Sequence, residues 1–397
     1  MGTEPAAPTE RETTHRATVD STMLLSMPRF FLFLAVTVAW FLSFFLLQAA
    51  LPKYLERHQF SNGQIGLVIG ILSVSAVLSR PYLGRAMDRG LLFPLLVTSC
   101  LMMLSSPLYG VGVALWFLIL VRLFQGVSSG IFMTGGPVFV TELTPERRRG
   151  EAMGLFSVAS TVAIAVGPPV GLIIGEHVSY HLTWALAAGA GVVGALLLLP
   201  LRQTPDVLPT ESVVHGALIE WRVWPAAIPG FIAAIGNGTL FAFLVPLMDE
   251  RGLPGAGFFF TFDACAFFLV RAIGGRWSDR HGRWAVIVPG LAALGLALAI
   301  LGAFPTFPAF VVAALVWGGA ISVIIPELTA LAVDLVPPAR RGAAVATYTG
   351  VFEAGIALSG LALGWVADAT SLPFIFALAA GLLFLTAVWA WGFSRRR

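Results

Sequence analysis

The chain has 397 residues, 57% of them hydrophobic and only 11% charged, with a mean hydropathy of +0.87. That composition lies far outside the range of soluble globular domains and identifies an integral membrane protein. The net charge of +3 and pI near 9.2 are a product of where the arginines sit relative to a bilayer, and no nucleic-acid partner is expected.

Residues 1–28, with the stretch TEPAAPTERETTHRATVD, are polar and hold no apolar core before Leu24. They read as a disordered tail and not as a signal peptide. Apolar stretches of the ~20 residues that a spanning helix needs then recur along the chain. Twelve spans are expected, at about residues 30–51, 64–83, 91–110, 114–139, 152–175, 182–201, 223–248, 256–277, 285–303, 308–331, 342–366 and 372–393. Trp284 to Pro326 runs 43 residues without a charge, enough for a helix, a tight turn and a second helix. The fold class is therefore all-α membrane protein. The polar linker 202–222 separates a six-helix unit at 29–201 from another at 223–393, and a basic tail follows at 394–397. Cys100 and Cys265 fall inside spans of different halves, where they read as small apolar filler and not as a disulfide.

Lys and Arg near span ends are retained on the cytoplasmic side. Counting loops alternately, twenty of the 24 basic residues lie on the side holding both termini, and only Lys53, Arg57 and Arg251 lie opposite. Both termini and the linker are thus expected in the cytoplasm, with the chain in the inner membrane.

The two halves also repeat each other. SRPYLGRAMDRG at Ser79 to Gly90 matches VRAIGGRWSDRHGR, pairing Arg80 with Arg271, Gly84 with Gly275, Asp88 with Asp279 and Arg89 with Arg280. LTPERRRG at Leu143 to Gly150 matches LVPPARRG at Leu335 to Gly342. One extra residue, opposite His281, then pairs Gly90 with Gly282 and Leu91 with Arg283. Internal repeats of this length point to transporter architecture.

On these residues the chain resembles the major facilitator superfamily, and within it the bacterial arabinose-efflux and drug:proton antiporter-like members. The loop signature G-x-x-x-D-R-x-G-R is complete at Gly275, Asp279, Arg280, Gly282 and Arg283, whereas in the first half Leu91 replaces its last basic residue. R-x-x-Q-G appears as Arg122, Gln125 and Gly126, and the antiporter G-P-x-x-G as Gly167, Pro168 and Gly171, with Leu172 in place of a further glycine. The resemblance implies that each loop Asp meets the start of the fifth helix of the other half. That sets Asp279 against Arg148 and Arg149, and Asp88 against Arg340 and Arg341. These latches would form only when the cytoplasmic faces are together, favouring the outward-open state, with the Asp88 latch the weaker. The resemblance likewise makes Gly167, Pro168 and Gly171 a hinge and seal, since small residues allow close helix approach and proline kinks a helix.

An ionisable residue at mid-bilayer costs ~2.5 to 3.5 kcal/mol on insertion scales, so each needs a partner or a watery cavity. Arg122, Asp263 and Glu353 are the candidates for proton coupling, with Arg122 either the electrostatic counterweight of the two acids or a contact for an anionic substrate. Glu327 lies nearer the cytoplasmic end of its helix. Gln48 and Asn237, near the middle of the paired first and seventh helices, either bind substrate or bond a neighbouring helix. With Gln125, Glu327, Trp40 and Phe241 they form the candidate substrate cavity.

All six histidines fall in loops or tails, and no His-Glu-x-x-His and no phosphate-cradling Gly-rich loop before a Lys is present. The expectation is a secondary transporter and not an enzyme, with no cofactor or metal. It would work as a monomer in the lipid bilayer on a small amphipathic compound or metabolite, and proton-coupled efflux is the leading reading. Symport or uncoupled passage of a small organic anion, or translocation of a lipid, are the alternatives.

Overall fold

The computed structural model describes residues 28–203, 220–337 and 340–395, without the side chains of Asp88, residues 272–276 and Asp279. The polar N-terminal segment up to residue 27, most of the linker and both latch carboxylates therefore lie outside the described residues. In a bilayer every backbone N–H and C=O must be satisfied within its own segment, so long apolar stretches become helices. In chain order these are α1 (Pro28–Arg57), α2 (Asn62–Ala86), α3 (Arg89–Gly110), α4 (Leu115–Glu142), α5 (Arg149–His177) and α6 (Tyr180–Leu198). They continue as α7 (Trp224–Glu250), α8 (Phe258–His281), α9 (Trp284–Ala303), α10 (Phe307–Asp334), α11 (Arg341–Ala369) and α12 (Leu372–Ser394).

Among the described residues, eleven helices are long and apolar enough to cross a membrane. The one outside that group is α8, whose 24 residues include Asp263, Arg271, Arg276, Asp279 and Arg280. Its charge concentrates in the loop signature at the C-terminal end.

Local sequence sets the boundaries. Ser61 caps α2 by accepting from the Gln64 N–H while the Gln64 side chain accepts from the Ser61 N–H. Ser179 and Ser371 cap α6 and α12 in the same manner, through one hydrogen bond each. Gly90 (φ 79°) and Gly282 (φ 84°) turn the chain into α3 and α9 through the left-handed region, with open space where a Cβ would stand. Their glycine identity answers to the positive φ, which the two share, while their ψ angles differ, 14° at Gly90 and 159° at Gly282.

The same helix pairs pack in each half. In the first, α1 lies against α5 and α6, α2 against α4, and α3 against α4 and α6. In the second, α7 lies against α11 and α12, α8 against α10, and α9 against α10 and α12. Contact between the halves runs along α2–α11, α5–α8 and α1–α7.

That contact is confined to one end. We call the end carrying Arg85, Arg148, Arg149, Arg283 and Arg340 the basic face. Toward the opposite face, Gly63 lies under the Trp365 ring, Gly66 against the Gly360 carbonyl, and Gly70 against Ala357 and Gly360. A Cβ on Gly257 would stand 2.6 Å from Pro169 Cα. Toward the basic face, Gly84, Gly150, Gly154, Gly342 and Gly350 have open space among the described residues. The halves are sealed at the opposite face and parted at the basic face.

Candidate functional site

The seam between the halves carries charge at both of its ends. At its inner end Arg80 Nη2 on α2 donates to Glu353 Oε1 on α11 at 2.9 Å. Both side chains are 21% exposed, so this ion pair stands at the edge of the parted region. At its outer end Lys53 on α1 pairs with Asp249 on α7 and, at 3.4 Å, with Glu56 one turn away. Beside it the Asp368 carboxylate of α11 accepts from the Asn62 and Gly63 N–H groups of α2, both at 2.8 Å. Thr261 Oγ1 on α8 donates to the Ala165 carbonyl of α5 at 2.8 Å.

The predicted residues distribute unevenly over this frame. Glu353 is on the seam, but its cation is Arg80 and not Arg122. Asp263 is 9% exposed, and its Oδ1 has no hydrogen-bond partner among the described residues. It lies two residues beyond Thr261, about 200° further round the helix, with its backbone pressed onto Gly318 of α10. That places it inside the second half.

Arg122 is 1% exposed. It reaches Gln48 Oε1 at 3.4 Å and lies over the Tyr109 ring at 5.7 Å, with no acid beside it among the described ion pairs. Glu353 thus takes its cation from Arg80, because α2 and α11 meet at the seam, while Arg122 sits within the first half.

Of the cavity candidates, Gln48 and Asn237 are partly exposed in stretches otherwise almost wholly buried. Phe241 stacks on Phe260 at 5.1 Å and reaches Phe45 across the halves at 6.1 Å. Trp40 is fully buried and stacks on Phe132 at 4.4 Å, which puts it in the packing of the first half. Gln125 is equally buried, accepting from the Tyr109 hydroxyl at 2.6 Å and donating to Ser105 and Ser106. Glu327 accepts from Ser278 at 2.6 Å and from Arg283 Nη1 at 3.2 Å. It belongs to a cluster near the basic face, in which Arg283 Nε also donates to Asp334 at 2.5 Å. That bond to Asp334 raises the Arg283 guanidinium further above its ordinary value.

The arginines expected to form the gate have acid partners nearby. Arg148 pairs with Glu151, Arg149 with Glu146 and Arg340 with Glu220, while Arg89, Arg280 and Arg341 are exposed. In the fifth helix the residues expected to form the hinge meet different neighbours. Gly167 and Gly171 let α1 approach at Phe45 and Leu46 of their own half, while Pro168 and Pro169 receive Gly257 of the other.

Sequence reading missed Arg80 as a partner by counting it among the loop arginines. Its place well inside α2, six residues before the helix end, was the available signal. Nothing comparable marked Asp368, whose role depends on which helix start it meets.

A family model for the Major Facilitator Superfamily matches residues 32–256 and 226–397. YhhS of Shigella flexneri, called an uncharacterized MFS-type transporter, is 27% identical over 88% of each chain. The YhhS of Escherichia coli strain K12 is 26% identical over the same shares. Among solved structures, a mutant of the nucleoside transporter NupG superposes with a TM-score of 0.77 at 17% identity, over 91% of this chain and 99% of the other. A POT family transporter in complex with a thioalcohol-conjugated peptide does so with 0.74 at 13% identity, over 92% and 96%. With its multi-pass helical architecture and a family match along nearly its whole length, the chain is a membrane transporter and not an enzyme, and it belongs to the Major Facilitator Superfamily.

Proposed function

We propose that the chain is a proton-coupled exporter, working by alternating access between two six-helix bundles, 29–201 and 223–393, that rock about the seam. In this reading all twelve helices span the inner membrane and the basic face is cytoplasmic, as the distribution of arginines supports. The observation that carries the reading is the Arg80–Glu353 pair, 2.9 Å across the seam and only part-exposed.

Desolvation favours the neutral form of a carboxyl, while a cation alongside favours the charged one. A proton on Glu353 would therefore release Arg80 and loosen the seam, and its departure would restore the pair. Asp263 is a second proton-carrying candidate. Protons entering from outside would then drive a small amphipathic compound outward, with Gln48, Asn237 and Phe241 facing it in the cavity. The latches of Asp279 with Arg148 and Arg149, and of Asp88 with Arg340 and Arg341, would close the basic face in the other state. Arg148, Arg149 and Arg340 would then exchange their local acids for the loop carboxylates.

The test is reconstitution in liposomes with a panel of radiolabelled metabolites and amphipathic dyes. An imposed pH gradient should drive uphill movement of at least one of them. Glu353→Gln combined with Asp263→Asn should leave downhill exchange only. A wild type indifferent to the gradient for every transported compound would refute proton coupling, and unchanged accumulation in the double variant would refute the coupling site.

A further inference from the structure

The charges of the seam are matched, and Arg122 is not. Arg80 has Glu353, and Lys53 has Asp249 and Glu56. No described ion pair includes Arg122, and its Nε and Nη1 are buried without a hydrogen-bond partner among the described residues. A buried charge without a counter-ion is strongly unfavourable, so a fold that keeps one holds it for something absent from the protein itself.

The surroundings keep this guanidinium in place without neutralising it. Tyr109, fully buried, sits with its ring against Arg122, and its hydroxyl donates to Gln125 at 2.6 Å. Gln125 is in turn fixed by Ser105 and Ser106 at 3.2 and 3.4 Å. The residues of R-x-x-Q-G thus cooperate: the glutamine locks the ring on which the arginine rests. On the other side, the only side chain that accepts from Arg122 among the described residues is Gln48, through one long bond of 3.4 Å. Gln48 is partly exposed, so the buried cation is one side chain away from accessible space. Phe45, one turn before it, is part of the aromatic group with Phe241 and Phe260.

We propose that Arg122, screened by Gln48, is the anchor for the carboxylate of an amphipathic organic monoanion, whose apolar body lies toward the aromatic group. One uncompensated cation matches one negative charge, which disfavours a phosphate carrying nearly two. The inference rests on the transporter reading and supplies its substrate class. Binding of the anion neutralises Arg122, so the loaded carrier holds no unpaired charge at this point when the halves move.

The experiment uses the purified full chain in nanodiscs, with benzoate as probe, benzamide as its uncharged counterpart and inorganic phosphate and chloride as competing anions. Benzoate should raise the melting temperature of the wild type, and benzamide should not. Arg122→Lys should weaken benzoate binding on the order of 10-fold or more, the loss expected of a charge-assisted hydrogen bond, and Arg122→Gln should abolish it.

Without ligand, Arg122→Gln should melt no lower than the wild type, because it removes an unpaired buried charge. A purely structural arginine would give a lower melting temperature. That result, protection by benzamide equal to that by benzoate, or stronger protection by phosphate or chloride would overturn the proposal. So would cancellation of the Arg122→Gln effect in an Asp263→Asn background, since the counter-ion would then be Asp263. Benzoate binding that persists in Glu353→Gln while pH-driven transport is lost would separate this site from the coupling carboxylate. Binding without any transport by the wild type would refute the exporter reading and leave the anion site standing.

Discussion

Replacing Asp368 should open the face opposite the basic one. Asn62 and Gly63 begin α2, and their N–H groups have no partner within the helix. They donate instead to the two oxygens of Asp368, each at 2.8 Å, from the far half of the molecule. The next free donor, Gln64 N–H, goes to Ser61.

This division fixes where the energy of the contact appears. When the halves part, the Ser61–Gln64 box remains and keeps α2 capped, so what is lost belongs to the equilibrium between states and not to the helix. Because Asp368 is exposed, water replaces much of the contact. The net effect is therefore set near that of an N-cap residue, about 1 kcal/mol, or about fivefold in the population ratio. Asp368→Ala should shift the population by that factor toward the state open at this face, and Asp368→Asn, which keeps one acceptor and loses the charge, by less.

Spin labels at Val113 in the first half and Thr306 in the second, both exposed in loops of this face, report the ratio through their distance distribution. Helix content should stay constant. An unchanged distribution in Asp368→Ala, or a shift toward the closed distance, would refute the assignment of this carboxylate as a bond between the halves.

Gly66→Ala should act in the same direction and more strongly, because its Cβ would overlap the Gly360 carbonyl and approach Phe243 at 2.9 Å. Overpacking of this kind costs about 1–3 kcal/mol, and the same spin labels measure it. Arg251 should prove structural: it donates to the Leu301 and Gly302 carbonyls at the end of α9, and burial pulls its guanidinium below its ordinary value. Arg251→Lys loses the fork that reaches both carbonyls, and should lower thermal stability by about 1 kcal/mol in detergent melts without altering transport. For orientation, an impermeant thiol reagent outside intact cells should label a cysteine introduced at Gly255 but not one at Arg147, in a background lacking Cys100 and Cys265. The reverse pattern would overturn the placement of the basic face in the cytoplasm.

Much of this molecule was legible from its sequence. Apolar run length, loop arginines and the repeat around Gly90 and Gly282 depend on chemistry local to the chain, since a bilayer forces each segment to satisfy its own backbone. The helix boundaries at Ser61, Ser179 and Ser371 follow from the same local rule. What the tertiary structure decided was partnership. Arg80 and Glu353 lie 273 residues apart, and no spacing along the chain predicts that α2 and α11 bring them together. Glu327 and Gln125, polar residues in apolar helices, looked like cavity groups, but the structure bonds each to neighbours in its own half. Asp368 gained its role from the start of a helix in the other half. A charge inside a membrane announces from sequence that it needs compensation, but the compensating group is chosen by how helices pack, and for Arg122 the contacts among the described residues are with the neutral Gln48 and Tyr109.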